Sequence, residues 1–143
     1  MIRPPLPRRE FDAIYAKVPR LTVELILAGP SGVWLTQRTE GPCGGLWHLP
    51  GGTVRFGEPF VEAVGRVGAD ELGVEVVAET LLGVIEYPSH LAAGIDWPVG
   101  LAVSCRLGGP EPVTTPHSQR FGLLPLELHD EQRAFLLDHH LAR

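Results

Sequence analysis

The chain has 143 residues, of which 44% are hydrophobic, and this length and composition suit one globular domain with a substantial core. Its 17 acidic and 12 basic residues give a net charge of -5, which argues against a broad nucleic-acid-binding face. Cys43 and Cys105 are far apart and form no C-x-x-C pattern, so neither a disulfide framework nor a zinc site is expected.

The start of the chain, MIRPPLPRREF, is basic, but no apolar run follows it, so a secretory signal is not predicted. No later stretch reaches the roughly 20 apolar residues that a membrane-spanning helix needs. We therefore expect a cytoplasmic protein without a membrane partner.

The first third of the chain is predicted to contain a short helix followed by strands. Apolar residues at helical spacing predict an amphipathic helix over residues 9–18, which Pro19 ends. Alternating apolar residues predict strands at 21–28 and 33–37, joined into a hairpin by the turn between them. A loop follows at 38–45 and a short strand at 46–49. The chain then breaks at 50–52 before a second short strand at 53–56.

The middle of the chain is predicted to form its main helix. Residues 58–72 contain an early Pro59 but no interior proline, and Gly73 is suited to end the helix in the left-handed conformation. The residues expected to be buried on one side are Val61, Val64, Val67 and Leu72. Two internal glycines weaken this helix by about 1 kcal/mol each relative to alanine, so tertiary packing has to hold it.

The second half is predicted to be mainly strand. Apolar and β-branched residues predict long strands at 74–86 and 97–107, with a loop at 88–98 between them. A loop at 108–116, a short strand at 120–124 and a terminal helix at 126–141 complete the chain. This order predicts an α+β fold, in which mixed strands surround one central helix and helices lie at both ends.

The segment around the main helix carries the clearest chemical signal. Asp70 and Glu71 are adjacent like charges near a glycine turn, and a bound cation would offset their repulsion. A backbone carbonyl at the preceding glycine pair and one or two carboxylates from the helix are oxygen ligands of the kind that Mg²⁺ prefers. These residues therefore predict a magnesium site.

Four charged residues, Glu58, Glu62, Arg66 and Asp70, recur at intervals of four along one edge of the predicted helix. At this spacing either glutamate can pair with Arg66 and fix the helix against the turn. A solvated, salt-bridged helix face is the alternative interpretation, and spacing alone does not decide between the two.

The spacing of residues 52–74 resembles the Nudix box, G-x5-E-x7-R-E-U-x-E-E-x-G-U, in which U is aliphatic. Two positions depart from the box: Val67 replaces the glutamate after the arginine, and Gly68 replaces an aliphatic residue. Asp70 is a milder change. The resemblance implies a single Nudix domain over residues 1–143, built as an α/β/α sandwich with a mixed β-sheet and a central catalytic helix.

The loss of the glutamate at Val67 is shared with one Nudix branch, the GDP-mannose mannosyl hydrolases, which use one Mg²⁺ and cut at carbon rather than phosphorus. Four further stretches resemble that branch, namely residues 9–11, 18–19, 37–39 and 45–52. The likeness covers roughly residues 9 to 76, and the second half of the chain matches loosely.

The resemblance assigns the metal and phosphate ligands. The Gly52 carbonyl and Glu71 are expected to bind Mg²⁺, or Mn²⁺ as an alternative ion, with Asp70 assisting directly or through water. Arg38 is expected to contact the nucleotide diphosphate, to which its planar guanidinium is suited.

Arg66 is expected to orient Glu58 or to help neutralise the leaving diphosphate. The branch has a further arginine where this chain has Thr53, and Arg55, two residues on, is the predicted substitute if residues 53–56 form a strand. Glu24 and His90 are further candidate substrate-binding residues.

The general base is the remaining catalytic role, and histidine suits it because its pKa is near neutral. His117 occupies the position where the branch has its histidine base. Of the other histidines, those on the predicted terminal helix, His129, His139 and His140, are expected at the surface, and His48 is expected to be packed or a donor behind the site.

Taken together, the resemblance implies a Mg²⁺-dependent hydrolase of nucleoside diphosphate sugars, GDP-mannose-like, in which water attacks the anomeric carbon and releases the sugar and a nucleoside diphosphate. Two alternatives stay open: an ordinary Nudix pyrophosphohydrolase that cleaves at phosphorus, and a non-catalytic Nudix domain that binds nucleotides. The branch also implies a homodimer, and no nucleic-acid partner is expected.

Overall fold

The computed structural model describes residues 4–143, so the first three residues of the basic N-terminal segment lie outside the described part. Its helices are α1 Arg8–Tyr15, α2 Phe60–Leu72, α3 Pro88–Ala92 and α4 Asp130–Asp138. Its strands are β1 Arg20–Ile26, β2 Ala28–Gly29, β3 Gly32–Gln37, β4 Trp47–His48, β5 Gly51–Thr53, β6 Val76–Glu86, β7 Pro98–Leu107 and β8 Ser118–Phe121.

The strands form two sheets. The first has the order β5-β1-β7-β6, in which β1 and β7 are parallel and the other two pairs are antiparallel. The second joins β2, β3 and β4, and β8 pairs with the free side of β3. A mixed sheet packed with helices confirms the predicted α+β architecture.

Strand β1 is covered on both faces, which positions the site. Val23 and Leu25 point to one face and pack with residues of α2, such as Val64. Ile26 points to the other face and packs with Leu136 of α4. Glu24 lies on that second face and is also buried, so a carboxyl group sits inside the fold.

Helix α2 packs closely against the first sheet because Gly68 has no side chain. A Cβ at Gly68 would lie 2.5 Å from Cγ2 of Val76 on β6, too close for any larger residue without movement. Gly73 ends the helix with φ 67°, as predicted. The departure at Gly68 from the aliphatic residue of the box therefore has a packing reason.

Several sequence predictions were wrong in detail. The predicted hairpin of 21–28 with 33–37 does not form, because β1 pairs in the first sheet and only β2 pairs with β3. The strand predicted at 53–56 instead spans the glycine pair as β5.

The helix predictions also change. Helix α2 starts after Pro59, so Glu58 precedes it, and Val61 is exposed rather than buried. The predicted loop at 88–98 contains α3, which has Pro88 in its first turn, a position that proline favours. The terminal helix begins at Asp130 instead of 126.

Among the described residues, no helix combines the length and apolar character needed to cross a membrane.

Candidate active site

A cavity of about 730 Å³ opens between the first sheet, the C-terminal end of α2, α3 and the start of α4. This volume lies in the range of small-molecule sites, about 300–1,000 Å³. The polar and charged side chains in its lining include Arg20, Thr22, Glu24, Arg38, Cys43, His48, Glu71, His90, Asp96, His129 and Gln132.

Gly52 and Glu71, the predicted metal ligands, both line this cavity. Val67 of α2 lies directly behind Gly52, because a Cβ on that glycine would be 3.1 Å from a Val67 methyl carbon. The position that carries a glutamate in the Nudix box therefore places a hydrocarbon group beside Gly52 in this chain. The hard-oxygen donors from α2 and β5 in the lining are the Glu71 carboxylate, the backbone of the glycine pair and Thr53, so α2 supplies one carboxylate.

Glu71 is half-buried, and this burial raises the pKa of its carboxyl group, opposed by the positive charge of Arg38. The neighbouring Asp70 charge raises the same pKa further. A cation bound next to Glu71 would favour its ionised form. Asp70 itself is mostly exposed, does not line the cavity and lies 3.5 Å from Arg66.

Arg66 and Glu58 form a two-contact ion pair, here called the bracket, behind the site. Arg66 Nε donates to Glu58 Oε2 at 2.6 Å, and Nη2 donates to Glu58 Oε1 at 3.0 Å and to the Thr53 carbonyl at 2.9 Å. The hydrogen bonds from Arg66 lower the pKa of Glu58 against the effect of burial. Neither residue lines the cavity, so this pair connects α2 to the end of β5 and acts on the site through position.

Two arginines line the cavity. Arg38 is exposed in the loop after β3, as predicted, and its charge lowers the pKa values of Glu71 and Glu24. Arg20, which sequence reasoning missed, donates to Thr53 Oγ1 at 2.9 Å and to Asp96 Oδ2 at 2.8 Å. Arg20 therefore contacts Thr53, the position of the missing arginine that Arg55 was predicted to replace.

Arg55 is not brought into this cavity. Residue 55 follows β5 outside any strand, so the predicted alternation does not hold there. Arg55 lines a neighbouring cavity of about 720 Å³ together with Arg66 and apolar residues of the N-terminal segment. The prediction that Arg55 takes the place of the missing arginine is corrected by this placement.

Glu24 is held on the cavity wall by three donors. Its Oε1 accepts from Tyr87 Oη at 2.7 Å and Thr22 Oγ1 at 3.1 Å, and Oε2 accepts from Gln132 Nε2 at 3.2 Å. Burial raises the pKa of Glu24, and the hydrogen bonds from Tyr87 and Thr22 oppose that effect. A buried, hydrogen-bonded carboxyl group with a raised pKa is suited to recognise a polar substrate group or to exchange a proton.

Two histidines, His90 and His129, also line the cavity. His90 Nδ1 lies 2.8 Å from Asp96 Oδ1, and its Nε2 lies 3.0 Å from Nε2 of His129. Burial raises the pKa of Asp96, but the contacts with His90 and Arg20 bring it below its ordinary value. His129 is only 8% exposed and lies just before α4, so the prediction that it is a surface residue was wrong. Burial lowers its pKa.

His117, the predicted general base, lies outside the cavity lining. It is exposed, next to the start of β8, with Nδ1 3.2 Å from Gln37 Oε1. His48 is buried as expected, and its Nδ1 lies 2.7 Å from the Leu49 carbonyl oxygen. Burial lowers the pKa of His48 to about 4, so its ring is neutral at neutral pH.

The cavity residues that sequence reasoning missed include Arg20, Cys43, Asp96, His129 and Gln132. Each of these residues lies outside residues 52–74, and most of them contact partners that are distant in the sequence. One signal was available: Arg20 and Asp96 are charged residues at the starts of two apolar strands, and β1 and β7 are parallel neighbours.

Comparisons with known proteins bear on this fold and site. The family model of the NUDIX domain matches residues 18–129. A crystal structure of a MutT NUDIX hydrolase from Burkholderia pseudomallei superposes with a TM-score of 0.72 at 30% identity, covering 85% of this chain and 98% of that one.

Two curated relatives are similar over shorter stretches. The low-salt glycan biosynthesis protein Agl8 of Haloferax volcanii is 41% identical over 93 residues, 64% of this chain and 60% of that protein. An ADP-ribose pyrophosphatase of Methanocaldococcus jannaschii is 36% identical over 72 residues, 50% of this chain and 43% of that protein. The chain thus spans less than two thirds of the length of either relative.

Proposed function

Because this chain belongs to the Nudix family, we propose that it is a Mg²⁺-dependent hydrolase of nucleoside diphosphate sugars, GDP-mannose-like in its substrate. In the proposed reaction water attacks the anomeric carbon, and the products are the free sugar and a nucleoside diphosphate. The family and the α+β sandwich predicted from the sequence are confirmed. The substrate class and the atom attacked are the proposal.

One observation carries the proposal: a Val67 methyl group, not a carboxylate, lies behind Gly52. With Asp70 turned toward Arg66, α2 contributes one carboxylate, Glu71, to the cavity lining. A single helix carboxylate supports one bound ion better than a cluster of ions, because each additional divalent charge needs further anionic ligands. A one-ion site is the feature that the sequence resemblance connects with attack at carbon.

The donor set fits Mg²⁺. The Gly52 carbonyl and the Glu71 carboxylate would hold the ion, since both offer hard oxygen atoms and Mg²⁺ commonly binds one or two carboxylates, waters and substrate phosphates. When bound, the ion would supply positive charge to the diphosphate leaving group. Mn²⁺ accepts the same oxygen ligands and is the alternative ion.

Arg38 is assigned to the diphosphate. Its guanidinium lines the cavity from an exposed loop and has no carboxylate partner among the ion pairs of residues 4–143. In an oxocarbenium-like transition state the developing negative charge falls on the leaving phosphate, where a fork of N–H donors stabilises it. Arg20 is already paired with Asp96, so we assign it a positioning role at Thr53.

The proton of the attacking water requires a base. The sequence resemblance assigns this role to His117, which would require the 108–117 loop to swing over the cavity, because the residue lies outside the lining. Glu24 is the candidate base that needs no such movement, since it is already on the cavity wall. His117→Ala and Glu24→Gln variants separate the two, because only loss of the true base removes the acidic limb of the kcat profile.

The sugar end of the substrate is assigned to the side of the cavity lined by His90 and Glu24. Polar groups there can accept or donate hydrogen bonds to sugar hydroxyls. Similarity to a protein named for glycan biosynthesis supports a sugar-containing substrate.

Cleavage at phosphorus is the second candidate. It is favoured by the similarity to an ADP-ribose pyrophosphatase, whose substrate is also a diphosphate joined to two larger groups. The cavity volume suits either class of substrate.

The two reactions are separated by ¹⁸O-labelled water. The protein would be incubated with GDP-, UDP- and ADP-sugars and Mg²⁺, and the products analysed by mass spectrometry. Label in the released sugar is the predicted result, whereas label in a phosphate product would overturn attack at carbon. Ligand binding without Mg²⁺-dependent turnover on any of these substrates would instead support a non-catalytic nucleotide-binding domain.

The homodimer and the cytoplasmic location stay predictions, as does the absence of a nucleic-acid partner. Size-exclusion chromatography with light scattering measures the first directly.

A further inference from the structure

Three potential soft-metal ligands meet at one side of the cavity. Cys43 comes from the loop after β3, His90 from α3, and His129 from the residue before α4. Cys43 Sγ lies 3.8 Å from His90 Nε2, the two Nε2 atoms are 3.0 Å apart, and all three candidate ligand atoms lie within 4.8 Å of one another. Cys43 is a free thiol in the structure.

These separations approach those of a tetrahedral zinc site. With Zn–S of about 2.3 Å and Zn–N of about 2.0–2.1 Å, tetrahedral angles place two nitrogens about 3.3 Å apart and sulfur about 3.6 Å from each nitrogen. The observed nitrogen pair and the sulfur to His90 distance differ from these values by a few tenths of an ångström. The third pair, Cys43 and His129, lies within 4.8 Å, so the Cys43 loop would close by up to about 1.2 Å for all three residues to share one ion.

The surroundings of His90 present the correct nitrogen. Asp96 is ion-paired with Arg20, so its carboxylate accepts a hydrogen bond from Nδ1–H of His90 at 2.8 Å. That bond leaves the lone pair of a neutral ring on Nε2, which points to Cys43 and His129. A carboxylate behind a histidine in this way is the usual second contact of a zinc-binding imidazole.

His129 repeats the pattern less tightly. Its Nδ1 is buried without a hydrogen-bond partner in the described structure and lies 3.8 Å from Glu131 Oε1. Two facing imidazole nitrogens with lone pairs repel unless a proton or a cation lies between them. A bound cation would satisfy both rings and leave the Nδ1–H of His129 directed at Glu131.

We propose that Cys43, His90 and His129 bind a borderline-soft divalent ion such as Zn²⁺, at a site separate from the oxygen donors Gly52 and Glu71. Thiolate and imidazole select this class of ion over Mg²⁺. All three residues line the cavity, so the fourth tetrahedral position is open to water or to an oxygen atom of a bound ligand.

The proposed site has a structural consequence for the loop that carries Arg38. An ion held by Cys43, His90 and His129 would tie residues 38–45 to α3 and to the start of α4. Cys43 and His90 are 47 residues apart in the chain, and His90 and His129 are 39 residues apart. The spacing of the two cysteines did not reveal this site. The proposed partners of Cys43 are histidines that are distant in sequence and that the fold brings close to it.

Co²⁺ substitution tests the proposal without using activity. Metal-free protein would be titrated with Co²⁺ in excess Mg²⁺, which occupies oxygen sites and does not compete for thiolate. We expect one Co²⁺ per chain, with the visible bands of tetrahedral Co²⁺ and a near-ultraviolet sulfur-to-cobalt band, and displacement of both by one equivalent of Zn²⁺.

Matched variants assign the ligands. Cys43→Ala should remove the sulfur band, whereas Cys105→Ala, which removes the other thiol, should keep it. His90→Asn preserves a donor toward Asp96 but removes Nε2, and should weaken Co²⁺ binding at least tenfold. Circular dichroism confirms that each variant is folded.

Absence of tetrahedral bands in the wild-type protein would overturn the proposal, as would a sulfur band that survives Cys43→Ala. Glu71→Gln should leave the spectrum unchanged. Loss of the bands in that variant would place Co²⁺ at the oxygen site and would also contradict the inference, while leaving the proposed hydrolase function intact.

Discussion

Arg66 grips Glu58 through two nitrogens, with Nε 2.6 Å from Oε2 and Nη2 3.0 Å from Oε1, and the same Nη2 reaches the Thr53 carbonyl at 2.9 Å. One side chain of α2 is thereby joined to the end of β5, the strand that contains Gly52. The distance between Gly52 and Glu71 depends on how α2 lies against β5. The pair therefore sets the geometry of the proposed Mg²⁺ site without contacting the ion.

Arg66→Lys should impair Mg²⁺ use while leaving the fold intact. Lysine keeps the charge but lacks the planar fork, so it cannot hold Glu58 and Thr53 together. We expect kcat to fall about 10–100-fold and the Mg²⁺ concentration for half-activation to rise, as for other groups that support metal ligands. Mg²⁺ titrations of turnover measure both, with the exposed Arg106→Lys as control. Normal Mg²⁺ activation in Arg66→Lys would show that the bracket does not position the site.

Arg38→Lys should weaken binding of the nucleotide diphosphate. Because Arg38 is exposed in a loop, the substitution should change the free energy of unfolding by less than about 0.5 kcal/mol. Loss of the paired hydrogen bonds to phosphate should raise the Kd of a nucleoside diphosphate about tenfold, which corresponds to about 1.4 kcal/mol. Isothermal titration calorimetry in Mg²⁺ provides the measurement, again with Arg106→Lys as the matched change. Equal Kd values for the two variants would remove Arg38 from the phosphate site.

The box region could be predicted from sequence because its signals are local. The Gly73 cap and the helix before it follow from residues close together in sequence, and the resemblance to the box indicated the pairing of Arg66 with Glu58. The predicted hairpin failed for a different reason. Strand β1 is buried on both faces, so its apolar pattern does not tell which sheet it joins.

The part of the cavity where Cys43, His90 and His129 meet could not be predicted, because tertiary contacts assemble it. Cys43, His90 and His129 belong to three segments that the fold brings together, and His129 was assigned to a surface helix that in fact begins after it. Arg55 was placed by assuming that the strand continued through residue 56, but β5 ends at Thr53. An error of three residues at the end of β5 thus placed Arg55 in the wrong cavity, and an error of four residues at the start of α4 placed His129 at the surface.

Tyr87→Phe should destabilise the protein more at high pH than at low pH. Burial raises the pKa of Glu24, so the stability that depends on this group is full below its unfolded value and declines as pH rises through the folded value. Removing the Tyr87 hydroxyl, which donates to Glu24 at 2.7 Å, raises that pKa further.

We expect Tyr87→Phe to cost clearly more at pH 8 than near pH 4.5, with about 1.5–3 kcal/mol, the range for a hydrogen bond to a charged group, wherever Glu24 is ionised. Urea unfolding at both pH values measures the difference. Tyr15→Phe on α1 is the control, with an expected change below about 0.5 kcal/mol. A cost for Tyr87→Phe that is the same at both pH values would mean that Glu24 is not ionised at pH 8.

His48 should make the folded state lose stability on mild acidification. Burial lowers its pKa from 6.5 to about 4, so below pH 6.5 the unfolded chain takes up a proton that the folded protein does not. Stability from this group is therefore full above pH 6.5 and is lost as pH falls toward 4. The shift corresponds to about 3 kcal/mol in total.

His48→Asn keeps a donor for the Leu49 carbonyl and removes the titrating ring. Between pH 7 and 4.5 we expect the wild-type protein to lose about 2–3 kcal/mol more stability than this variant does. His140→Asn is the control, because residue 140 has φ 55°, a conformation that asparagine tolerates. Identical pH dependence of unfolding in wild type and His48→Asn would exclude His48 as the source.

The central claim, a divalent ion held between Gly52 and Glu71, is tested most directly by Mn²⁺ binding followed by electron paramagnetic resonance in the presence of a nucleoside diphosphate. Glu71→Gln removes the proposed ligand, and Glu62→Gln is an exposed change on the same helix. We predict one tightly bound Mn²⁺ per chain in wild type and Glu62→Gln, with loss of that ion and of turnover by about 100-fold or more in Glu71→Gln. Mn²⁺ binding by Glu71→Gln with wild-type affinity would contradict the account.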